Sequence, residues 1–242
     1  MQGAFDFPEP KQRKVGSGRK PTRAGTWVKH RARPWHDENH PVHVTLKVRR
    51  GIPNLRGFRL AKVIGTGLRV AASSDAAKKQ ERRRTFRVIH FSIQPNHLHL
   101  IVEATSKVAL ARGMQGLASG LARRVNRKLR RRGALFADRY HGHAMAKPTE
   151  VRNAIVYVLK NYEKHLDPIP DLGTEPEGGI DPCSSARWFN GWAESTSSSD
   201  LVLSVAAPHT WLLRVGWKCS GLLRRQECSA FRSGVEVASV IR

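Results

Sequence analysis

Phe91-Ser92-Ile93-Gln94-Pro95-Asn96-His97-Leu98-His99-Leu100-Ile101-Val102 is the stretch on which the fold turns. Side chains alternate between the faces of a strand, so His97 and His99 point one way and Leu98, Leu100 and Val102 the other. One face can pack a core while the other presents two imidazoles. Pro95-Asn96 reads as a tight turn that joins this strand to a preceding one over 85–93. With a two-residue loop, Gln94 faces His97 and Ser92 faces His99. His90, Ser92, Gln94, His97 and His99 then line one face of a hairpin.

Working outward, 43–48 reads as an earlier strand, followed by a weak helical region over 55–80 that Gly65 and Gly67 interrupt. Leu110, Met114, Leu117, Leu121 and Val125 recur at spacings of three and four, which predicts a helix over 107–132 ended by Gly133. A further strand is expected over 135–145. A last helix is expected over 149–165, with Thr149 as N-cap. The order β–α–β–β–α–β–α makes the chain α+β, a ferredoxin-like antiparallel sheet with helices on one face. The expected organisation is a basic disordered arm over 1–41, a globular domain over 42–166, a loop-rich linker over 167–200 and a C-terminal extension over 201–242. The sequence assigns that extension no role, and no internal repeat is present.

The 242 residues hold 43 Lys and Arg against 19 Asp and Glu, a formal charge of +24. Such an excess points to a polyanion, nucleic acid before others. Seven of these cations, Arg123, Arg124, Arg127, Lys128, Arg130, Arg131 and Arg132, crowd one helix end. That is more than a helix dipole calls for, and it reads as a phosphate-binding face. Three widely spaced cysteines (Cys183, Cys219 and Cys228) give neither a disulfide framework nor a zinc motif, and fit a reducing cytoplasm. No signal peptide and no membrane span is read from the chain.

The His97–His99 pair and the last helix invite chemistry. A neutral imidazole suits first-row divalent metals, and two of them leave open positions for water or a phosphate oxygen. On the last helix Val151, Ile155, Val158 and Tyr162 form one stripe, while Tyr157 lies roughly 130° away with Asn161 one turn beyond it. Taken alone, His-x-His also suits an ordinary half-exposed strand, and Tyr157 an ordinary surface position.

In combination the motifs say more. Gln94-Pro95-Asn96-His97-Leu98-His99-Leu100 resembles the motif of the single-tyrosine HUH transposases, in which two histidines flank a hydrophobic residue. Ala134-Leu135-Phe136-Ala137-Asp138-Arg139-Tyr140-His141, followed by Val151-Arg152-Asn153-Ala154-Ile155-Val156-Tyr157-Val158-Leu159-Lys160-Asn161, resembles the REP-associated tyrosine transposase branch of that family. The resemblance covers about residues 43–165. It implies cutting and rejoining of single-stranded DNA beside hairpins, through a 5′-phosphotyrosine intermediate. It implies Tyr157 as nucleophile and His97 and His99 as ligands of Mg²⁺ or Mn²⁺, with Asn161 as the third. Tyr162 stands where such relatives often carry proline. Lys160 is a candidate contact for flanking phosphates. The expected protein acts on DNA without a membrane, as a monomer or homodimer.

Two other readings are weighed. His43-Val44-Thr45 supplies half of the paired HxT/S motif of two-histidine phosphoesterases, and the second half is missing. An RNA-recognition-type sheet shares the topology but needs aromatics on an open face, whereas Phe91 falls opposite the histidines. A domesticated relative that binds without cutting would have the same sequence features.

Overall fold

The computed structural model describes residues 35–73, 85–160, 180–194 and 205–225. Its centre is the expected hairpin: β2, Phe86–Ile93, pairs antiparallel with β3, His97–Ala104, in the register Ser92↔His99. The Gln94 amide donates to the His97 carbonyl at 2.9 Å and closes the turn. A bulge between Val88 and His90 shifts the register without moving His90 off the Ser92 face.

β1, Val42–Lys47, lies between β3 and β4, His141–Ala144, and all pairings are antiparallel. The strand order is β2-β3-β1-β4, the ferredoxin-like arrangement read from the sequence. β4 is far shorter than the strand expected over 135–145. β1 advances three residues from Thr45 to Val48 while the partner chain covers five, from His141 back to the Val48↔Phe136 bridge. The two extra residues cannot stay in register, so 137–140 leave the ladder.

Alternation then sorts the core. Val42, Val44, Leu46, Leu98, Leu100 and Val102 pack against two helices. These are α1, Phe58–Ser73, and α2, Lys107–Lys128, which buries the five predicted apolar positions. The Ser106 hydroxyl caps α2 by accepting the Ala109 amide at 3.1 Å. At Gly113 a Cβ would fall 2.1 Å from the Phe86 ring, so α2 approaches β2 closely only because this residue has no side chain.

The helices do not share one face, as the sequence suggested. The last helix, α3, Pro148–Lys160, packs with Ile89, Ile101 and Met145 in a second core. Its outer side is covered in turn by α4, Trp211–Arg214, and by a 3₁₀ turn at Gly216–Ser220. That covering explains why α3 is buried around its circumference, with Val151 and Ala154 to Lys160 all inside. Thr149 is not its cap. Pro148 takes the first helical position, and Glu150 reaches back to accept the Ala146 and Lys147 amides at 2.8 and 3.2 Å.

The described part of the expected linker is built into the fold. Residues 180–194 run along the outer edge of β2, where Ile93 donates to the Cys183 carbonyl and Ser185 to the Phe91 carbonyl, at 2.8 and 2.9 Å. A composition rich in Gly, Pro and Ser reads as loop, yet the edge of β2 presents backbone groups that need partners. Asp181, fully buried, receives both Arg56 guanidinium nitrogens at 2.8 and 3.0 Å and the Cys183 amide at 2.9 Å. Burial pushes the Cys183 thiol up to about 11. Cys183 and Cys219 are free thiols.

The extension docks through a second buried carboxylate. Glu103 accepts from Arg87, from the His209 and Thr210 amides and from the Thr210 hydroxyl, all within 2.8–3.1 Å. Thr210 then caps α4. Trp192, Leu212, Leu213, Trp217 and Leu223 close the second core. No described helix is long and apolar enough to cross a membrane.

Asp181→Ala strands the buried Arg56 guanidinium. It is expected to lower stability by about 3–5 kcal/mol, measured by urea unfolding. A loss below about 1 kcal/mol would contradict the staple assigned to this pair.

Candidate active site

β1 lies beside β3 in the register Thr45↔His99 and His43↔Ile101. Directly opposed residues share a face, so His43, Thr45, His97 and His99 stand together under α3. His99 is buried at the middle of this group. Its Nε2 is 2.8 Å from His97 Nε2, and its Nδ1 is 3.2 Å from His43 Nε2 and 3.3 Å from Thr45 Oγ1. His97 is half-buried, and its Nδ1 donates to Asn96 Oδ1 at 2.6 Å. The imidazole of His43 is held at about 4, first by burial and then by nearby His143 and His97, and is neutral at pH 7.

α3 brings Tyr157 to the same point. Its hydroxyl lies 3.4 Å from His99 Nε2, and its ring meets the His99 ring edge-on at 4.9 Å. The His43 ring is 5.8 Å away, also edge-on. Tyr157 is only 6% exposed. Its angle from the apolar stripe pointed to a surface position, but α3 is covered on both sides, so that angle aims the phenol at the sheet. The site opens on the side of half-buried His97 and exposed Asn96.

The donors suit a divalent ion. Two imidazole nitrogens held at about 2.1 Å by one ion sit about 3 Å apart or more, so the present 2.8 Å needs to widen by only a few tenths. Gln94 Oε1 is buried on the same face and has no partner among the described residues. No three His, Cys, Asp or Glu side chains form a ready metal cluster among those residues. Asn161, the sequence candidate for third ligand, lies outside them, as do Tyr162 and the residues of the basic arm before Trp35.

The basic cluster divides. Arg123, Arg127, Lys128, Arg130 and Arg132 are exposed at the end of α2. Arg124 and Lys128 line, with Phe58, Arg59 and Lys62, a groove of about 420 Å³ between α1 and α2. Arg131 is spent on structure: it donates to Asn126 Oδ1 at 2.7 Å and to the Ala134 carbonyl at 3.2 Å, securing the turn after the helix. Lys160 is 5% exposed and does not stand on the surface with the others. The face carrying the histidines is covered by α3, so it is no open platform for stacking bases.

That His43 and Thr45 stand beside His99 was missed in the sequence. The signal was present, because His43-Val44-Thr45 alternates as His97-Leu98-His99 does, and the ferredoxin-like order places β1 beside β3. His141 and His143 oppose Thr45 and His43 on exposed β4, at the rim of the same face.

The family model described as Transposase IS200 like matches residues 67–161. That range holds His97, His99 and Tyr157, and it ends before the docked C-terminal segments. A solved structure of a REP-associated tyrosine transposase bound to a REP hairpin is similar at 13% identity, with a TM-score of 0.41, over 56% of this chain and 74% of that chain. No curated protein matches the chain.

Tyr157→Phe keeps the ring packing and removes the 3.4 Å contact of the hydroxyl with His99. Its urea-unfolding stability is expected within about 1 kcal/mol of wild type, whereas Tyr157→Ala is expected to cost about 3–5 kcal/mol. A large loss for the Phe variant would show that the hydroxyl holds the fold together.

Proposed function

We propose that this chain cuts and rejoins single-stranded DNA at the His97–His99–Tyr157 site, a reading supported by the match of residues 67–161 to the IS200-like transposase model. The observation that carries this reading is the 3.4 Å approach of the Tyr157 hydroxyl to an imidazole nitrogen that is itself 2.8 Å from a second imidazole nitrogen. A nucleophile and a two-nitrogen metal seat meet at one point, drawn from a helix and a strand far apart in sequence.

His97 and His99 would hold Mg²⁺ or Mn²⁺ through their Nε2 atoms, with Asn161 as the proposed third ligand. When bound, the ion supplies Lewis acidity to the non-bridging oxygens of the scissile phosphate. Imidazole ligands favour Mn²⁺ over Mg²⁺. Tyr157 is held by its packing against His99 and His43, so its oxygen is directed at the metal seat rather than free to rotate away. Its phenol oxygen attacks the phosphorus in line. The bond to tyrosine forms as the bond to the 3′ oxygen breaks, the phenol gives up a proton and the leaving oxygen gains one. The products are a 5′-phosphotyrosine and a free 3′-hydroxyl. The phosphodiester energy is kept in the adduct, so another strand's 3′-hydroxyl reverses the step without a nucleotide cofactor.

The exposed cations at the end of α2 and the α1–α2 groove supply a positive surface for the DNA backbone. A hairpin beside the cleavage site is the expected recognition element.

The test uses labelled single-stranded oligonucleotides from the DNA flanking the coding sequence, incubated with the full chain and Mn²⁺. A shifted band on a denaturing gel, abolished by EDTA, by Tyr157→Phe and by His97→Ala, is the expected result. Tight binding without an adduct under any of these conditions would favour a protein that binds and no longer cuts.

A further inference from the structure

His43-Val44-Thr45 is a motif whose polar atoms the proposed reaction leaves unused, yet the fold sets them against His99. For His97 and His99 to ligate through Nε2, both of those nitrogens must present lone pairs, so each neutral ring carries its proton on Nδ1. His97 has its acceptor in Asn96 Oδ1, at 2.6 Å. Among the described residues His99 Nδ1 lies 3.2 Å from His43 Nε2 and 3.3 Å from Thr45 Oγ1.

These neighbours are not equivalent. A hydroxyl rotates and can donate or accept, so Thr45 alone selects neither form of His99. A buried neutral imidazole offers a single lone pair in a fixed direction. The His43 and His99 rings lie within 20° of parallel, so the N–H of one can aim at the in-plane lone pair of the other. His43 is 4% exposed and seated between β3 and β4, which holds that direction.

We infer that His43 is a positioning residue: its Nε2 accepts the His99 Nδ1–H and so locks His99 in the form that turns Nε2 toward the ion. The inference rests on the metal seat proposed above. Outer partners of ligating histidines are commonly carboxylates or backbone carbonyls. An imidazole in that role requires His43 to carry its own proton on Nδ1, and so links the state of a third histidine to the seat.

The test is Mn²⁺ affinity of the full chain without DNA, read from the electron-spin resonance of free Mn²⁺. His43→Phe, which fills the space without an acceptor, is expected to weaken binding about 10- to 100-fold. His43→Asn, which restores an acceptor oxygen, should recover most of the loss, and Thr45→Val should stay close to wild type. In ¹⁵N spectra of the Zn²⁺-loaded wild type, Nδ1 should be the protonated nitrogen of His99. Wild-type affinity in His43→Phe, no recovery in a folded His43→Asn, or a loss that follows Thr45→Val instead would overturn the role of His43 alone. Absence of any saturable Mn²⁺ binding that His97→Ala removes would overturn the metal seat, and this inference with it.

Discussion

The structure buries a polar sheet face. His43, Thr45, His90, Ser92, Gln94, His99 and Glu103 all lie inside, on the side opposite the hydrocarbon face that packs α1 and α2. Buried polar groups destabilise a fold unless they find partners. Much of the chain after the sheet answers that demand. Glu103 is satisfied by Arg87 and the backbone before α4, and His90 and the Phe91 amide by Ser185. The edge of β2 is covered by the segment anchored at Asp181. The histidine group is satisfied largely within itself and by Tyr157.

The demand has a functional consequence. In the proposed function, a nucleophile and metal ligands fixed by packing would need little reorganisation at the moment of reaction. The same cover closes the histidine-bearing sheet face except on the side of half-buried His97 and exposed Asn96. The cations at the end of α2 and the α1–α2 groove remain on the helical surface, away from the buried group. The proposed function therefore puts backbone binding and chemistry on different surfaces of one domain.

The hairpin, the strand order and the apolar face of α2 were legible in the sequence because each rests on local periodicity. The Ser92↔His99 pairing followed from loop length alone. The burial of Tyr157 was not legible, since it depends on what covers α3, and that cover comes from segments 180–194 and 205–225. Asp181 lies in a stretch whose Gly, Pro and Ser read as linker, and Thr210 in an extension to which the sequence assigns no role. Arg131 looked like its neighbours, and only the geometry of the turn after α2 separates a structural arginine from exposed ones. His43 and Thr45 were readable in principle, once β1 is set beside β3.

The central claim is that the phenol of Tyr157 and the His97–His99 pair form one reactive centre. Its most direct measurement is peptide mapping by mass spectrometry of the protein after reaction with single-stranded DNA, nuclease trimming and proteolysis. A nucleotide phosphate on the peptide containing Tyr157, at its side chain, is the expected result. The same mass addition on the peptide containing Tyr140, or on any residue other than Tyr157, would contradict it.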